Sequence, residues 1–109
     1  MSEICDLSAV ELVSRISNRE ISPRELLDSC LSRIEAVDPS LNAIVAYDEV
    51  AARRAAEEAE KAVLAGDALG PLHGLPIGIK DLNDPAGLRT TYGSQLFADH
   101  IPENDSLTV

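Results

Sequence analysis

The chain of 109 residues is long enough for one small domain, and its apolar content of 45% is ordinary for a protein that folds around a core. The 19 acidic residues outnumber the 9 basic ones, and the resulting net charge of −10 argues against direct nucleic-acid binding. The sequence lacks a stretch near the ~18 apolar residues of a membrane span, and its two cysteines lack zinc-site spacing, so we expect a cytoplasmic protein without a metal site.

Capping signals predict two helices near the N-terminus. Ser8 and Glu11 form a capping-box pattern that predicts a helix over residues 8–18. Ser22 and Glu25 repeat this pattern around Pro23 and predict a second helix over residues 23–37, with Asp38-Pro39 as its end. The second helix carries one apolar stripe, made of Leu27, Cys30, Leu31, Ile34 and Val37.

A strand and a third helix are predicted next. Residues 41–47 are short, apolar and partly β-branched, which favours a buried strand. Asp48 is a cap for an alanine-rich helix over residues 49–65, and Gly66 is placed to end it. The charged residues of this helix are interpreted as a solvated face and not as a binding patch.

The amino-acid composition of the sequence changes after residue 69. Residues 70–94 hold five of the six glycines and three of the six prolines of the chain. Such a segment is suited to lining a site, although an ordinary surface loop has the same composition. We therefore divide the chain into a helical part, residues 1–69, and a Gly/Pro-rich part, residues 70–109.

Lys80 is the first candidate for chemistry. It ends the apolar segment 75–80, which we predict to be a strand. A lysine that loses hydration there has a lowered pKa and can serve as a general base. The alternative is a lysine that extends from the strand end into water.

The polar residues near Lys80 allow simpler interpretations. Asp81 either orients the lysine or caps a turn, and His73 is expected to make a structural hydrogen bond. Residues 81–87 do not fit a calcium loop, because Pro85 stands where a ligand should. Residues 84–87 are instead predicted to form a β-turn.

Residues 70–81, GPLHGLPIGIKD, and residues 86–94, AGLRTTYGS, closely resemble the N-terminal block of the amidase signature family, which includes the A-type subunits of glutamyl-tRNA amidotransferases. The upstream segments SAVEL, SPRELL and DPSLNA are also similar to that family. The resemblance implies an α/β fold in which a mixed sheet is flanked by helices. This chain would supply about three helices and two or three strands of it.

The resemblance also implies a mechanism without metal or organic cofactor. In this family a lysine at the position of Lys80 acts with a cis serine and a nucleophilic serine to hydrolyse an amide. Asp81, Thr91, Gly93 and Ser94 match positions that line or support such a site. Neither Ser94 nor Ser106 matches the two catalytic serines, so the resemblance covers an N-terminal fragment that we expect to be inactive alone.

Three functional hypotheses follow from this resemblance. The first is an amidase that acts on a small-molecule amide in its full-length form. The others are a subunit of a tRNA-dependent amidotransferase and a non-catalytic interaction or assembly module. For each, we expect uncovered strand edges and helix faces to bind the remainder of the amidase domain or a second copy of the chain.

Overall fold

The computed structural model describes residues 3–109 and shows a helical chain. Its elements are a 3₁₀ turn at Ile4–Asp6, helices α1 (Ala9–Ser17), α2 (Pro23–Leu41) and α3 (Glu49–Ala65), and a 3₁₀ turn at Gln95–Phe97. Two compact units are present. The helical unit comprises the described residues up to Leu41 together with Glu49–Pro76, and the loop unit comprises Asn42–Asp48 and Ile77–Val109.

The helices begin where the capping signals predict. The Glu11 N–H donates to Ser8 Oγ over 3.2 Å at the start of α1. At the start of α2 the box is reciprocal: the Glu25 N–H donates to Ser22 Oγ over 3.0 Å, and the Ser22 N–H donates to Glu25 Oε2 over 2.8 Å. These bonds satisfy N–H groups that have no partner inside a helix, and they confirm both predicted starts.

Left-handed residues end α1 and α3. Arg19 has φ 62° after α1, and Gly66 has φ 74° after α3. At the end of α3, the Gly66 N–H donates to the Val63 carbonyl over 3.2 Å and the Asp67 N–H donates to the Ala62 carbonyl over 3.1 Å. This is the Schellman arrangement, and it confirms Gly66 as the end of the third helix.

The predicted end of α2 at residue 37 is wrong, because the helix continues to Leu41 with Pro39 inside it. A proline so close to the end removes only one of the last intrahelical donors. The Ser40 hydroxyl donates to the Val37 carbonyl over 3.1 Å and satisfies one group of the final turn. Asn42 then takes φ 52°, a conformation that asparagine tolerates better than most residues, and the helix ends there.

The core lies in the helical unit. Its buried residues come from α1, the α1–α2 connection, α2 and α3: Leu12, Ile16, Ile21, Leu26 and Val63. Polar contacts also join the helices of this unit. Arg53 of α3 forms a 2.6 Å ion pair with Asp28 of α2, and the Arg19 guanidinium donates to the Val63 carbonyl over 3.2 Å at the end of α3.

The predicted strands at residues 41–47 and 75–80 are wrong, and so is the predicted mixed sheet. Residues 3–109 contain no strand, so this chain is helical and not α/β. A strand exists only when a neighbouring segment accepts and donates its backbone hydrogen bonds, and neither segment has such a neighbour within the described residues. Leu41 belongs to α2, and Pro76 has no N–H to give to a ladder.

The loop unit is held by hydrogen bonds between irregular segments. The Gly87 N–H donates to the Pro102 carbonyl over 2.9 Å, and the Thr90 N–H donates to the His100 carbonyl over the same distance. The Ser106 N–H donates to the Asp84 carbonyl over 2.8 Å. The segment 84–90 therefore lies against residues 100–106. The predicted β-turn occurs one residue later, where the Leu88 N–H donates to the Pro85 carbonyl.

Within residues 3–109, no helix combines the length and the apolar character that crossing a membrane requires.

Candidate active-site segment

Lys80 lies at the start of a turn in the loop unit. The Asn83 N–H donates to the Lys80 carbonyl over 3.0 Å, which closes this turn. The Lys80 side chain is exposed, so the surrounding residues of this chain do not provide the desolvation expected at a strand end. The structure shows no hydrogen bond or ion pair from its ammonium group to another residue of the described chain.

Asp81 is bound to the segment that follows residue 90. The Thr91 N–H donates to Asp81 Oδ1 over 2.8 Å, and the Thr91 hydroxyl donates to Asp81 Oδ2. The hydrogen bonds from the Thr91 hydroxyl and N–H, with help from the Gly93 N–H and the charge of Arg89, hold the pKa of the Asp81 carboxyl below its usual range. The residue beside Lys80 is therefore an ionised anchor for residues 91–93.

Residues 91–94 form a tight turn. The Ser94 N–H donates to the Thr91 carbonyl over 2.9 Å, and the two central residues have positive φ, 53° at Tyr92 and 69° at Gly93. A positive φ is uncommon for tyrosine, so contacts of its side chain must stabilise this conformation. Ser94 Oγ accepts the Leu96 N–H over 3.2 Å and caps the following 3₁₀ turn.

The structure thus brings together four of the predicted site residues: Asp81, Thr91, Gly93 and Ser94. Lys80 is joined to this cluster through the chain, as the neighbour of Asp81. The site roles of these residues stay predictions. The geometry adds that the Ser94 hydroxyl has a structural role as a helix cap.

A second cluster in the loop unit was missed by sequence reasoning. The Tyr92 hydroxyl donates to Asp84 Oδ1 and lies 3.2 Å from His100 Nε2. His100 Nε2 is in turn 3.8 Å from Asp84 Oδ1. The ring of Phe97 packs edge-on against Tyr92, with centroids 5.1 Å apart. The hydrogen bond to Asp84 raises the pKa of the Tyr92 phenol, which therefore stays a donor.

One signal could have indicated this cluster. The chain has two tyrosines, one phenylalanine and two histidines, and three of these five rings lie within residues 92–100. Such a concentration in a chain poor in aromatic residues favours mutual packing. The partner Asp84 is eight residues away in irregular backbone, where no periodicity predicts a contact.

Residues 70–76, the first part of the Gly/Pro-rich segment that leads to Lys80, belong to the helical unit. His73 Nε2 lies 2.9 Å from the carbonyl of Ala59 in α3, so this nitrogen is the donor and the predicted structural hydrogen bond is confirmed. Gly74 has φ 83° and packs beside Ile16 and Pro23. Leu75 also packs against the core. The segment leading to Lys80 is therefore anchored to the helices as far as residue 75.

Metal binding would require several donor side chains at one place. The described part of the chain has no group of three or more histidine, cysteine, aspartate or glutamate side chains placed to bind an ion. The contacts of Asp81 and Asp84 are instead made to hydroxyl, amide and imidazole groups.

Comparison with known proteins identifies the segment. The sequence model of the amidase family matches residues 25–109. An acylamidase of Rhodococcus erythropolis is 41% identical over 103 residues, which are 94% of this chain and 22% of the relative. The A-type subunit of the glutamyl-tRNA(Gln) amidotransferase of Acidothermus cellulolyticus is 38% identical over 109 residues, which are 100% of this chain and 22% of the relative.

Solved structures agree with the sequence comparison. A bacterial aryl acylamidase of the amidase signature family matches with a TM-score of 0.81 at 34% identity, over 87% of this chain and 20% of that chain. A chain from a complex linked to the origins of an s-triazine catabolic enzyme matches with a TM-score of 0.85 at 29% identity, over 91% of this chain and 22% of that chain.

This chain spans only 22% of the length of the two relatives. The family match nevertheless includes most of α2, all of α3, the Lys80 segment and the Thr91–Ser94 turn, since it runs from residue 25 to residue 109. It covers well over half of the sequence, and the chain therefore belongs to the amidase family.

Proposed function

We propose that this chain supplies the lysine base, Lys80, of an amidase that hydrolyses a small carboxylic amide in its full-length form. The observation that carries the proposal is the family match across the segment in which Lys80-Asp81 is hydrogen-bonded to Thr91. This bond gives the backbone beside Lys80 a defined position. A general base needs such a position, because proton transfer requires hydrogen-bond reach of the reacting group.

In the proposed mechanism, two serines outside this chain act with Lys80. Neutral Lys80 accepts a proton from a cis serine, which accepts the proton of the nucleophilic serine as that oxygen attacks the amide carbonyl. Backbone N–H groups stabilise the oxyanion, the C–N bond breaks with protonation of the leaving amine, and an acyl-enzyme remains. Water then attacks the ester and releases the carboxylic acid. No metal or organic cofactor enters these steps.

The exposure of Lys80 adds a requirement to this mechanism. Only the neutral amine accepts a proton, and in this chain the Lys80 side chain is exposed to water. We therefore propose that the remainder of the amidase domain covers Lys80 and removes its hydration. The same argument predicts that the 109-residue chain has no amidase activity by itself.

The direct test joins this chain to the part of the Rhodococcus erythropolis acylamidase that follows its matched segment. In this fusion Lys80→Ala should lower kcat for aryl amides by about two orders of magnitude or more, the size of a general-base contribution. Lys61→Ala is the matched control, because Lys61 is the only other lysine and is exposed on α3. A folded fusion that is inactive, or equal losses in the two variants, would contradict the proposal.

A second test uses the 109-residue chain alone. It should not hydrolyse aryl or aliphatic amides, because a lysine without its serines can neither form nor resolve an acyl-enzyme. Turnover that disappears in Lys80→Ala would refute this expectation and would require a nucleophile within the chain.

Two further functions remain as candidates. Similarity of this whole chain to an amidotransferase component supports a role in such an enzyme, in which partner subunits are part of the assembly. The other candidate is a non-catalytic interaction or assembly module. The intact mass of the natural protein separates the module from the enzyme: 11.6 kDa favours the module, and a much larger mass favours the enzyme.

The proposed location is the cytoplasm. Cys5 and Cys30 are both free thiols in the structure, which suits a reducing compartment. The proposed partners are the remainder of the amidase domain or a second copy of the chain, and the substrate is a small-molecule amide.

A further inference from the structure

The second cluster of the loop unit, Asp84, Tyr92 and His100, has no part in the mechanism above, although it adjoins the Lys80 segment in the same unit. Tyr92 is the first of the two central residues of the turn whose first residue, Thr91, binds Asp81. The same residue therefore connects two sets of hydrogen bonds. One set joins Thr91 to Asp81, and the other joins the Tyr92 hydroxyl to Asp84 and His100.

Two features indicate that contacts of the Tyr92 side chain help to stabilise this turn against its backbone preference. Its φ of 53° is unfavourable for a residue with a large side chain, at a cost of roughly 1–2 kcal/mol. Its hydroxyl donates to Asp84, and its ring contacts Phe97 at 5.1 Å and His100 at 5.6 Å between centroids. These contacts offset the backbone cost and hold the turn in one conformation.

The partners of Tyr92 are themselves fixed by backbone hydrogen bonds. The Asp84 carbonyl accepts the Ser106 N–H over 2.8 Å, and the His100 carbonyl accepts the Thr90 N–H over 2.9 Å. Thr90 is the most buried polar residue of the described chain, with 2% of its surface exposed. The Tyr92 hydroxyl therefore lies within hydrogen-bond distance of two residues whose backbone is held in place. Through the backbone of the turn, these contacts restrict the position of Thr91, which binds Asp81.

We propose that Tyr92, held by Asp84 and His100, is the positioning residue of this site: it fixes the Thr91–Ser94 turn and thereby places the backbone that carries Lys80. The inference rests on the proposed function for its catalytic consequence. Its structural part, the coupling of the Tyr92 hydroxyl to Asp81, stands on the geometry of the 109-residue chain alone. Tyr92 acts through Asp81 and does not contact the reacting atoms.

The first experiment tests the structural part in the 109-residue chain by NMR titration of the Asp81 carboxyl. Tyr92→Phe keeps the ring and removes only the hydroxyl that donates to Asp84. The turn should loosen, the Thr91 donors should leave Asp81 part of the time, and the pKa of Asp81 should rise from its lowered position. Tyr47→Phe is the matched control, since Tyr47 is the other tyrosine and is 51% exposed in the same unit. An unchanged Asp81 pKa in Tyr92→Phe would overturn the proposal, whether or not the protein is an amidase.

The second experiment measures kinetics in the fusion with the acylamidase remainder. Tyr92→Phe should lower kcat by about 10- to 100-fold with little change in KM, the effect of a displaced catalytic group. Asp84→Asn keeps an oxygen that accepts the Tyr92 hydroxyl and should retain most of the activity, whereas Asp84→Ala should resemble Tyr92→Phe. Equal kcat values for Tyr92→Phe and Tyr47→Phe, or equal losses in the two Asp84 variants, would overturn the positioning role.

The two experiments separate the two ideas. If the parent fusion is inactive while Tyr92→Phe raises the Asp81 pKa, the proposed function fails and the coupling is supported. If the fusion is active and Tyr92→Phe leaves the Asp81 pKa unchanged, the positioning inference fails and the proposed function is supported.

Discussion

Substitution of Gly74 tests how residues 70–76 are anchored to the helices. Gly74 has φ 83°, and a Cβ added there would lie 3.0 Å from Pro23 Cγ and 3.3 Å from Ile16 Cδ1. Gly74→Ala therefore combines two penalties. One is the left-handed backbone of an alanine, roughly 1–2 kcal/mol, and the other is overpacking against the core, roughly 1–3 kcal/mol.

Gly66→Ala is the matched control for the backbone penalty. Gly66 has φ 74°, and an added Cβ would have no atom within 4 Å. Both substitutions reduce the freedom of the unfolded chain equally, so this contribution cancels in the comparison. The free energy of unfolding should therefore fall by about 1–2 kcal/mol in Gly66→Ala and by about 2–5 kcal/mol in Gly74→Ala.

The assay is urea unfolding of the 109-residue chain followed by far-UV circular dichroism, which reports the three helices of the helical unit. With a slope of about 1–3 kcal/mol per molar urea, the midpoint of Gly74→Ala should lie clearly below that of Gly66→Ala. Ile16→Val removes the Cδ1 atom, so Gly74→Ala should cost less in that background. Equal midpoints for the two glycine variants would refute the close packing of Gly74 on the core.

Three further predictions concern pH, capping and assembly. Thr91→Val removes the hydroxyl that keeps the pKa of Asp81 below its usual 3.8, and the resulting stabilisation is present above this pH and lost as pH falls through the lower pKa of the folded state. NMR-monitored unfolding should therefore show that the variant is less stable than the parent at pH 7 and equally stable at the acid limit. The same difference in stability at both pH values would contradict this. Ser22→Ala removes a reciprocal capping box and Ser8→Ala a one-sided cap, so urea unfolding should show losses of about 1 kcal/mol, larger for Ser22→Ala; no loss in either would refute the capping role. The exposed apolar residues of the two predicted strands, including Val45 and Ile77, should cause the chain to self-associate. Light scattering would detect the oligomers, and a monomer at high concentration would contradict this prediction.

Local sequence patterns predicted where α1 and α2 start and where α3 ends. Ser8, Ser22 and Gly66 act on backbone groups within four residues of themselves, so their effect is readable from local spacing. The same holds for the family, because the segment around Lys80 is a continuous motif. The structural role of His73 was also predictable in kind, since no partner for catalysis is near it in the chain.

Local pattern did not predict the absence of strands from residues 3–109 or the side chains that meet in the loop unit. Residues 41–47 and 75–80 have strand-like composition, but a strand depends on a distant partner for its hydrogen bonds, and the described residues offer none. The pairing of Tyr92 with Asp84 and His100 likewise joins segments of irregular backbone. Such contacts have no period along the chain and arise from the path of the backbone, which is why local pattern could not predict them.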